Sequence, residues 1–272
     1  MTQLRAIAQR FRDLHYSDAP LLMPNPWDAG SARLLESLGF AALATTSSGH
    51  AATLARLDGG VERDEALDHA RQLVAAVDVP VSADLENGFA DDPEGVAETV
   101  RLAAATGLAG CSIEDSTQRP DDPIYERALA VERVTAAAEA ASAGGIVLTA
   151  RAENHLHGRA DLTDTIARLQ AYADAGADVV FAPGLSELDD IRALVESVGV
   201  PVSVLALPFG PTVEQLAEIG VRRVSVGGGF AYAAMGAVVA AADELLNQGT
   251  YGFWVGANVG RKAVKAAFAP KK

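Results

Sequence analysis

Residues 79–115 read VPVSADLENGFADDPEGVAETVRLAAATGLAGCSIED, and their pattern decides the fold. A short apolar run breaks off at Asp84-Leu85-Glu86-Asn87. A longer stretch of Ala, Leu, Glu and Arg with helical spacing follows, from Pro93 to Thr106. Pro93 suits the first turn of that helix, and Gly107 stands where a helix C-terminus favours a left-handed residue. A second apolar run then ends at Glu114-Asp115. Strand, helix and strand in this order make a crossover unit between parallel strands.

The same phrase repeats along the chain. Further strand ends fall near Met23, Thr46, Ala150, Ala182, Leu205 and Val226. Helices are predicted over Ser31–Leu38, Asp64–Val77, Leu129–Ala143, Leu162–Ala175, Ser186–Val198, Thr212–Ile219 and Ala231–Leu246. Eight alternations in 272 residues predict a closed (β/α)₈ (TIM) barrel. The alternative, an open doubly wound sheet, lacks the Gly-x-Gly-x-x-Gly that would follow its first strand. No linker or composition break divides the chain.

Composition excludes several functions. A net charge of −14, with no cluster of Lys and Arg, argues against binding nucleic acid. The one cysteine, Cys111, cannot form an internal disulfide, and Arg5, Arg10 and Arg12 interrupt the N-terminal stretch, so it does not read as a signal peptide. The longest apolar run, Phe230 to Ala242, falls short of the ~20 residues that cross a bilayer. These features predict a cytoplasmic protein with no membrane partner.

Barrel active sites lie at the C-terminal ends of the strands, and polar side chains gather there. Strand 1 ends in Asn25-Pro26-Trp27-Asp28, strand 2 in Ser47-Ser48-Gly49-His50 and strand 3 in Asp84-Leu85-Glu86. Strand 4 ends in Glu114-Asp115 and strand 5 in Arg151-Ala152-Glu153-Asn154. The period of two turns Ser82 and Asp84, and likewise Ser112 and Glu114, to the barrel interior, with Glu86 on the same face. Carboxylates so placed repel one another unless a cation or shared protons offset their charge. An all-oxygen set suits Mg²⁺ or Mn²⁺; the same residues also read as salt-bridged or helix-capping carboxylates. Arg151 is a clamp for a carboxylate or phosphate, or a partner for Glu153 or Glu114. Ser47-Ser48-Gly49 either presents backbone N–H groups to an anion or only turns the chain. Gly227-Gly228-Gly229 either cradles a phosphate or makes a tight turn into the last helix. Cys111 faces outward and reads as core. His155 and His157 read as surface or supporting residues, and His15, His50 and His69 show no metal-ligand spacing.

Pro24–Ala32, Ser48-Gly49, Leu57-Asp58-Gly59, Ala83–Gly88, Ile113-Glu114-Asp115 and Ala150-Arg151 occur in the order and spacing of the isocitrate lyase/phosphoenolpyruvate mutase superfamily. The resemblance spans about residues 20 to 240. It implies a (β/α)₈ barrel over 1–246 and a C-terminal oligomerisation tail over 247–272. It also implies a homotetramer, a dimer of dimers whose last helix is exchanged between subunits. Asp84 matches the family's direct Mg²⁺ ligand, while Asp58, Glu86 and Glu114 match its water-mediated ligands. Glu86 replaces the family's usual Asp. Arg151 matches the arginine on the substrate carboxylate, and Ser48-Gly49 the segment at the other end of the substrate. Asn25 and Trp27 join the candidate substrate contacts, as do Arg119 and Tyr125 in the lid. Arg151, Asp58 and Glu114 are the candidate catalytic residues.

The implied chemistry is Mg²⁺-dependent cleavage of a C–C bond in a small 2-oxo or 2-hydroxy dicarboxylic acid, leaving an enolate that the metal stabilises. Oxaloacetate decarboxylation and C–P chemistry on phosphoenolpyruvate are alternatives within the same site. A barrel that binds a 2-oxo acid without turnover is an alternative of another class. The lid narrows the choice. The isocitrate and methylisocitrate lyases carry Lys-x-Cys-Gly-His after strand 4, where this chain reads STQRPDDPIY over residues 116–125. The Lys and Asn of the phosphonomutases are missing there too, and Ala182-Pro183-Gly184 replaces a strand 6 Glu of several lyases. Isocitrate and methylisocitrate cleavage are therefore not expected.

Overall fold

In the computed structural model, which describes residues 3–269, the short apolar runs are strands and the Ala-rich stretches helices. The strands are β1 (Leu21–Met23), β2 (Leu43–Ala44), β3 (Val81–Asp84), β4 (Gly110–Glu114), β5 (Val147–Arg151), β6 (Val179–Phe181), β7 (Val202–Leu205) and β8 (Arg223–Ser225). All pair in parallel, in the order β1-β8-β7-β6-β5-β4-β3-β2. The seam between β1 and β2 is bridged where Ala44 N–H donates to the Pro24 carbonyl at 3.1 Å. The chain is thus an α/β barrel of the (β/α)₈ class, and the open sheet is excluded.

The helices are α1 (Gln3–Leu14), α2 (Ala29–Ser37), α3 (Ser47–Thr53), α4 (Arg63–Ala76), α5 (Pro93–Ala104), α6 (Arg127–Gly144), α7 (Leu162–Asp174), α8 (Leu188–Ser197), α9 (Val213–Glu218), α10 (Gly229–Asp243) and α11 (Trp254–Ala267). Local chemistry fixes several starts. Asp28, Asp92, Asp161 and Thr212 each accept a hydrogen bond from a first-turn backbone N–H of α2, α5, α7 and α9. Two stretches differ from the sequence reading. Ser47-Ser48-Gly49 is no open turn: Thr46 caps it, and it begins helix α3. The N-terminal segment is a helix whose Phe11 is fully buried beneath the barrel among Leu21, Met23, Ala109, Val147 and Val179. Gly110 permits this plug, because a Cβ there would lie 2.8 Å from the Phe11 ring.

Alternation along the strands separates two apolar layers. Val81, Ala83, Cys111, Ile113, Leu148, Ala150, Val180 and Val204 pack outward against the helices. The inward positions are mixed: Leu21, Met23, Val147 and Val179 pack round Phe11, while Ser82, Ser112, Thr149, Ser203, Arg223 and Ser225 line the interior above or are bonded within it. Barrels usually fill this space with Val, Ile and Leu. A polar interior leaves room for something other than packing.

One region leaves the barrel. Helix α10 continues through a π-helical turn, Glu244–Gln248, so Gly229–Gln248 is one 20-residue helix whose most apolar 18-residue stretch is only 6% buried. The apolar run stops at Ala242, but the helix does not. By length and composition alone the whole helix is long enough to cross a membrane, although its apolar run, as read from the sequence, is shorter. Helix α11 lies against α2. The outward-facing Leu22 of β1 is 41% exposed.

Candidate active site

The ends of β3, β4 and β5 converge on Arg151. Its Nη1 lies 3.0 Å from Asp84 Oδ1, its Nη2 3.1 Å from Glu114 Oε2 and its Nε 2.9 Å from Glu153 Oε1. Both alternatives for Arg151 are therefore compatible: it pairs with carboxylates and lines the cavity. Burial opposes its charge, but Glu153, Glu114 and Asp84 outweigh that and hold its pKa well above the ordinary range.

Glu153 is itself fixed from behind. Its backbone N–H donates to Asp115 at 2.8 Å, and Asp115 also accepts from Tyr172 Oη at 2.6 Å and Arg168 at 3.2 Å. Asp115 points away from the mouth and braces it.

The four carboxylates expected around a metal form one electrostatic group. Asp84 accepts from the backbone N–H of Glu86 at 3.3 Å and of Ser47 at 3.4 Å. Burial, and then the charges of Asp84 and Asp58, push the Glu86 carboxyl up to about 7. Burial, and then Asp84, also raise Asp58, while the Ser47 hydroxyl works the other way. Glu114 is raised by burial, with Arg151 opposing. Glu86 sits at φ +49°, a left-handed backbone that turns its carboxylate back toward the mouth. Among the described residues, Arg151 is the one cation paired with any of the five carboxylates Asp58, Asp84, Glu86, Glu114 and Glu153.

That excess negative charge fits a hard divalent cation. Among the described residues no three Asp, Glu, His or Cys side chains converge as a direct metal cage. Mg²⁺ does not need one, since it keeps several waters and takes one or two direct carboxylates. Asp84 would hold the ion directly, with Asp58, Glu86 and Glu114 placed to accept from its waters.

Other candidates fall as follows. Ser48 lines a cavity of about 230 Å³ that also touches Asn25, Asp58, Asp84 and Arg151. Asn25 has spent its polar atoms on the seam. It donates to the Thr45 carbonyl at 2.9 Å and accepts from the Val226 and Gly227 N–H groups at 3.0 Å. The Gly49 N–H donates to Thr46 Oγ1 at 3.3 Å, and a Cβ there would meet Thr46, Ala231 and Trp27. Trp27 packs against α3 rather than lining the cavity. A Cβ on Gly228 would lie 2.7 Å from Ser48 Oγ and from the Tyr232 ring, so the glycine run allows a close turn into α10. Arg119 pairs with Asp91 at 3.1 Å, and Tyr125 donates to the same Asp91, so both are turned from the mouth. Cys111 is fully buried, its thiol pushed up to about 12 by burial and then Asp178.

Sequence reasoning missed Gln118, which reaches from the lid to donate to Glu86, whereas His157, read as a surface or supporting residue, rims the outer cavity beside Ser116 at 3.4 Å. Lid residues without charge carry no signal in spacing.

Similarity to known proteins gives the family. The family model described as phosphoenolpyruvate phosphomutase matches residues 11–246. The 2-methylisocitrate lyase of Salmonella typhimurium is 30% identical over 218 residues, 77% of this chain and 73% of that one. The crystal structure of a Burkholderia cenocepacia J2315 protein is 52% identical, with a TM-score of 0.95 over 99% of both chains. That of oxaloacetate acetylhydrolase, in complex with the product oxalate, is 25% identical, with a TM-score of 0.84 over 96% of this chain and 94% of that one. The chain therefore belongs to the isocitrate lyase/phosphoenolpyruvate mutase superfamily, and is an enzyme related to its carbon–carbon lyases.

Proposed function

We propose that this enzyme cleaves a C–C bond in a small 2-oxo or 2-hydroxy dicarboxylic acid through an enolate, with Mg²⁺ (or Mn²⁺) held at Asp84, Asp58, Glu86 and Glu114. The observation that carries this reading is the charge imbalance at the mouth: four buried or half-buried carboxylates and the exposed Asp58, with Arg151 the one cation among the described residues that pairs with any of them. A divalent ion bound there supplies positive charge opposite the negative charge that develops as the bond breaks.

The protein's own groups do the rest. Arg151 keeps Nε on the braced Glu153 and turns Nη1 and Nη2 toward Asp84 and Glu114. With a divalent cation held at Asp84 and Glu114 balancing their charge, Nη1 and Nη2 of Arg151 would be free to grip the substrate carboxylate in two parallel hydrogen bonds. Binding of metal and of acid are thereby coupled through one side chain. Ser47, Ser48 and Gln118 close the space around the ligand.

The lid separates this chain from its isocitrate- and methylisocitrate-cleaving relatives. Its one cysteine, Cys111, packs outward in the core, so no thiol reaches the cavity. This favours reactions that need no strong protein acid, with oxaloacetate decarboxylation as the neighbouring alternative.

For assembly we propose exchange of α10 between subunits. Val238, Val239, Leu245 and Leu246 are exposed on it, and Leu22 of β1 has no helix over it. A second copy's α10 would cover such surfaces.

The function is tested by product formation from oxaloacetate, substituted malates and phosphoenolpyruvate, with Mg²⁺ and with EDTA. Mg²⁺-dependent C–C cleavage of a dicarboxylate is expected. Tight binding without turnover of any of them would favour a non-catalytic barrel, and cleavage unaffected by EDTA would overturn the metal's role.

A further inference from the structure

The barrel interior below the mouth holds a cation that the proposed reaction does not use. Arg223 projects inward from β8 and is only 3% exposed. Its guanidinium crosses the barrel, Nε donating to Ser203 Oγ on β7 at 2.9 Å and Nη1 to Thr149 Oγ1 on β5 at 3.0 Å. Nη1 also lies 3.4 Å from His15 Nε2. His15 Nδ1 faces the Phe11 carbonyl at 2.9 Å, and a carbonyl can only accept, so Nδ1 carries the proton and Nε2 offers its lone pair to Arg223.

Every protein partner of Arg223 is therefore neutral. Burial, and then the charge of Arg223, depress the His15 pKa to about 3, so the ring is uncharged at neutral pH. The charge felt by Arg223 is that of Arg151, a second cation, and with burial it brings the guanidinium down to about 9. Arg223 remains cationic at pH 7. The other buried arginines all have negative charge near them, Arg133 through Asp91 and Asp115 although its direct partners are carbonyls. Arg168 pairs with Asp115 and Asp164, Arg151 with three carboxylates, and Arg133 caps the carbonyls of Asn87, Ala90 and Asp91. A buried charge without a counter-charge is unfavourable, so a position like this calls for an anion.

The cavity provides the route. Arg223 lines the same 230 Å³ space as Asp84 and Arg151, and Ser82, Ser112 and Ser225 line the walls between them. Its Nη2 donates to none of the described residues.

We propose that Arg223 receives the second acid group of the substrate. The 2-oxo or 2-hydroxy acid end lies at Arg151 and Asp84, and the far carboxylate reaches into the barrel to Nη2 of Arg223. This rests on the reading of the mouth given above and adds a selection rule: dicarboxylates over monocarboxylates with the same acid end.

Malate and lactate test it, since they share a 2-hydroxy acid end and differ in the second carboxylate. Calorimetry on the Mg²⁺-loaded protein should find malate bound at least about tenfold tighter than lactate, the scale of one charged hydrogen bond. Arg223→Met should erase that preference and leave lactate affinity unchanged. Equal binding of both acids by the wild type, or a preference that survives in folded Arg223→Met, overturns the role of Arg223 alone. Failure of either acid to bind with Mg²⁺ overturns the reading of the mouth and this proposal with it. Should the variant not fold, wild-type crystals soaked in malate and Mg²⁺ decide. A carboxylate within hydrogen-bond distance of Arg223 Nη2 supports the proposal, and both carboxylates at the mouth contradict it.

Discussion

Arg151 binds Glu153 through Nε and turns Nη1 and Nη2 to Asp84 and Glu114. This side chain shows how much of the site the sequence could give. A period of two along β3 and β4, and one arginine at a strand end, suffice to place Asp84, Glu114 and Arg151 together, because strand geometry fixes the direction of each side chain. Asp58 and Gln118 lie on loops, where no period applies. Asp58 came only from family resemblance, and Gln118 was not legible at all. Arg223 was hidden for another reason: an arginine inside a barrel strand reads as an anomaly of the core until its neutral partners are seen.

Buried histidines give a prediction at the same scale. His69 Nε2 lies 3.0 Å from the Trp27 carbonyl, and its ring stacks on His50 at 3.7 Å. Burial, and then His50, lower its pKa to about 4. The unfolded chain therefore binds the extra proton between pH 6.5 and 4. The stability contributed is full above 6.5 and falls as pH drops through that window. Between pH 7.5 and 5 the loss should be about 2 kcal/mol. Raised carboxylates such as Glu86 have the opposite slope, so the comparison is with His69→Gln. Denaturant melts at the two pH values should show the wild type losing that much more than the variant, and equal losses would contradict a buried neutral His69.

Among the elements, the seam between β1 and β2 is the weakest join in the barrel, since β2 has only two residues and one backbone hydrogen bond crosses there. Asn25 supplies the missing bonds by tying β1 to the Thr45 carbonyl and to the N–H groups after β8. Asn25→Ala leaves those buried groups unpaired and should cost about 2–3 kcal/mol, read as a lower urea midpoint with unchanged slope. A change within 0.5 kcal/mol would show that water satisfies the seam equally well. The elements themselves were readable from long Ala-rich stretches and their glycine stops. The exceptions were short: α3 begins in Ser-Ser-Gly, which reads as a turn until Thr46 caps it. The expected boundaries elsewhere differ from those observed by a few residues, because caps rather than hydropathy set helix ends.

The whole molecule is a barrel whose eighth helix leaves it. Repetition of one strand–helix unit made the architecture legible from the sequence, whereas the departure of α10 is implied by the family resemblance alone, since an Ala-rich helix looks the same whether it covers its own barrel or another's. Val238, Val239 and Leu246 in water would be costly for an isolated subunit. Sedimentation equilibrium should therefore give a mass several times that of one chain. Val239→Asp, on the exposed face, should shift the population toward smaller species. A wild-type monomer at micromolar concentration would contradict the exchange of α10.

The cation site proposed at Asp84 is tested most directly by calorimetric titration of Mg²⁺ into the wild type and Asp84→Ala, each with oxalate present. Wild type should bind Mg²⁺ with oxalate, and Asp84→Ala should lose that binding by about 100-fold or more while keeping its fold by circular dichroism. Undiminished Mg²⁺ binding in the folded variant would contradict Asp84 as the ligand, and with it the chemistry assigned to this mouth.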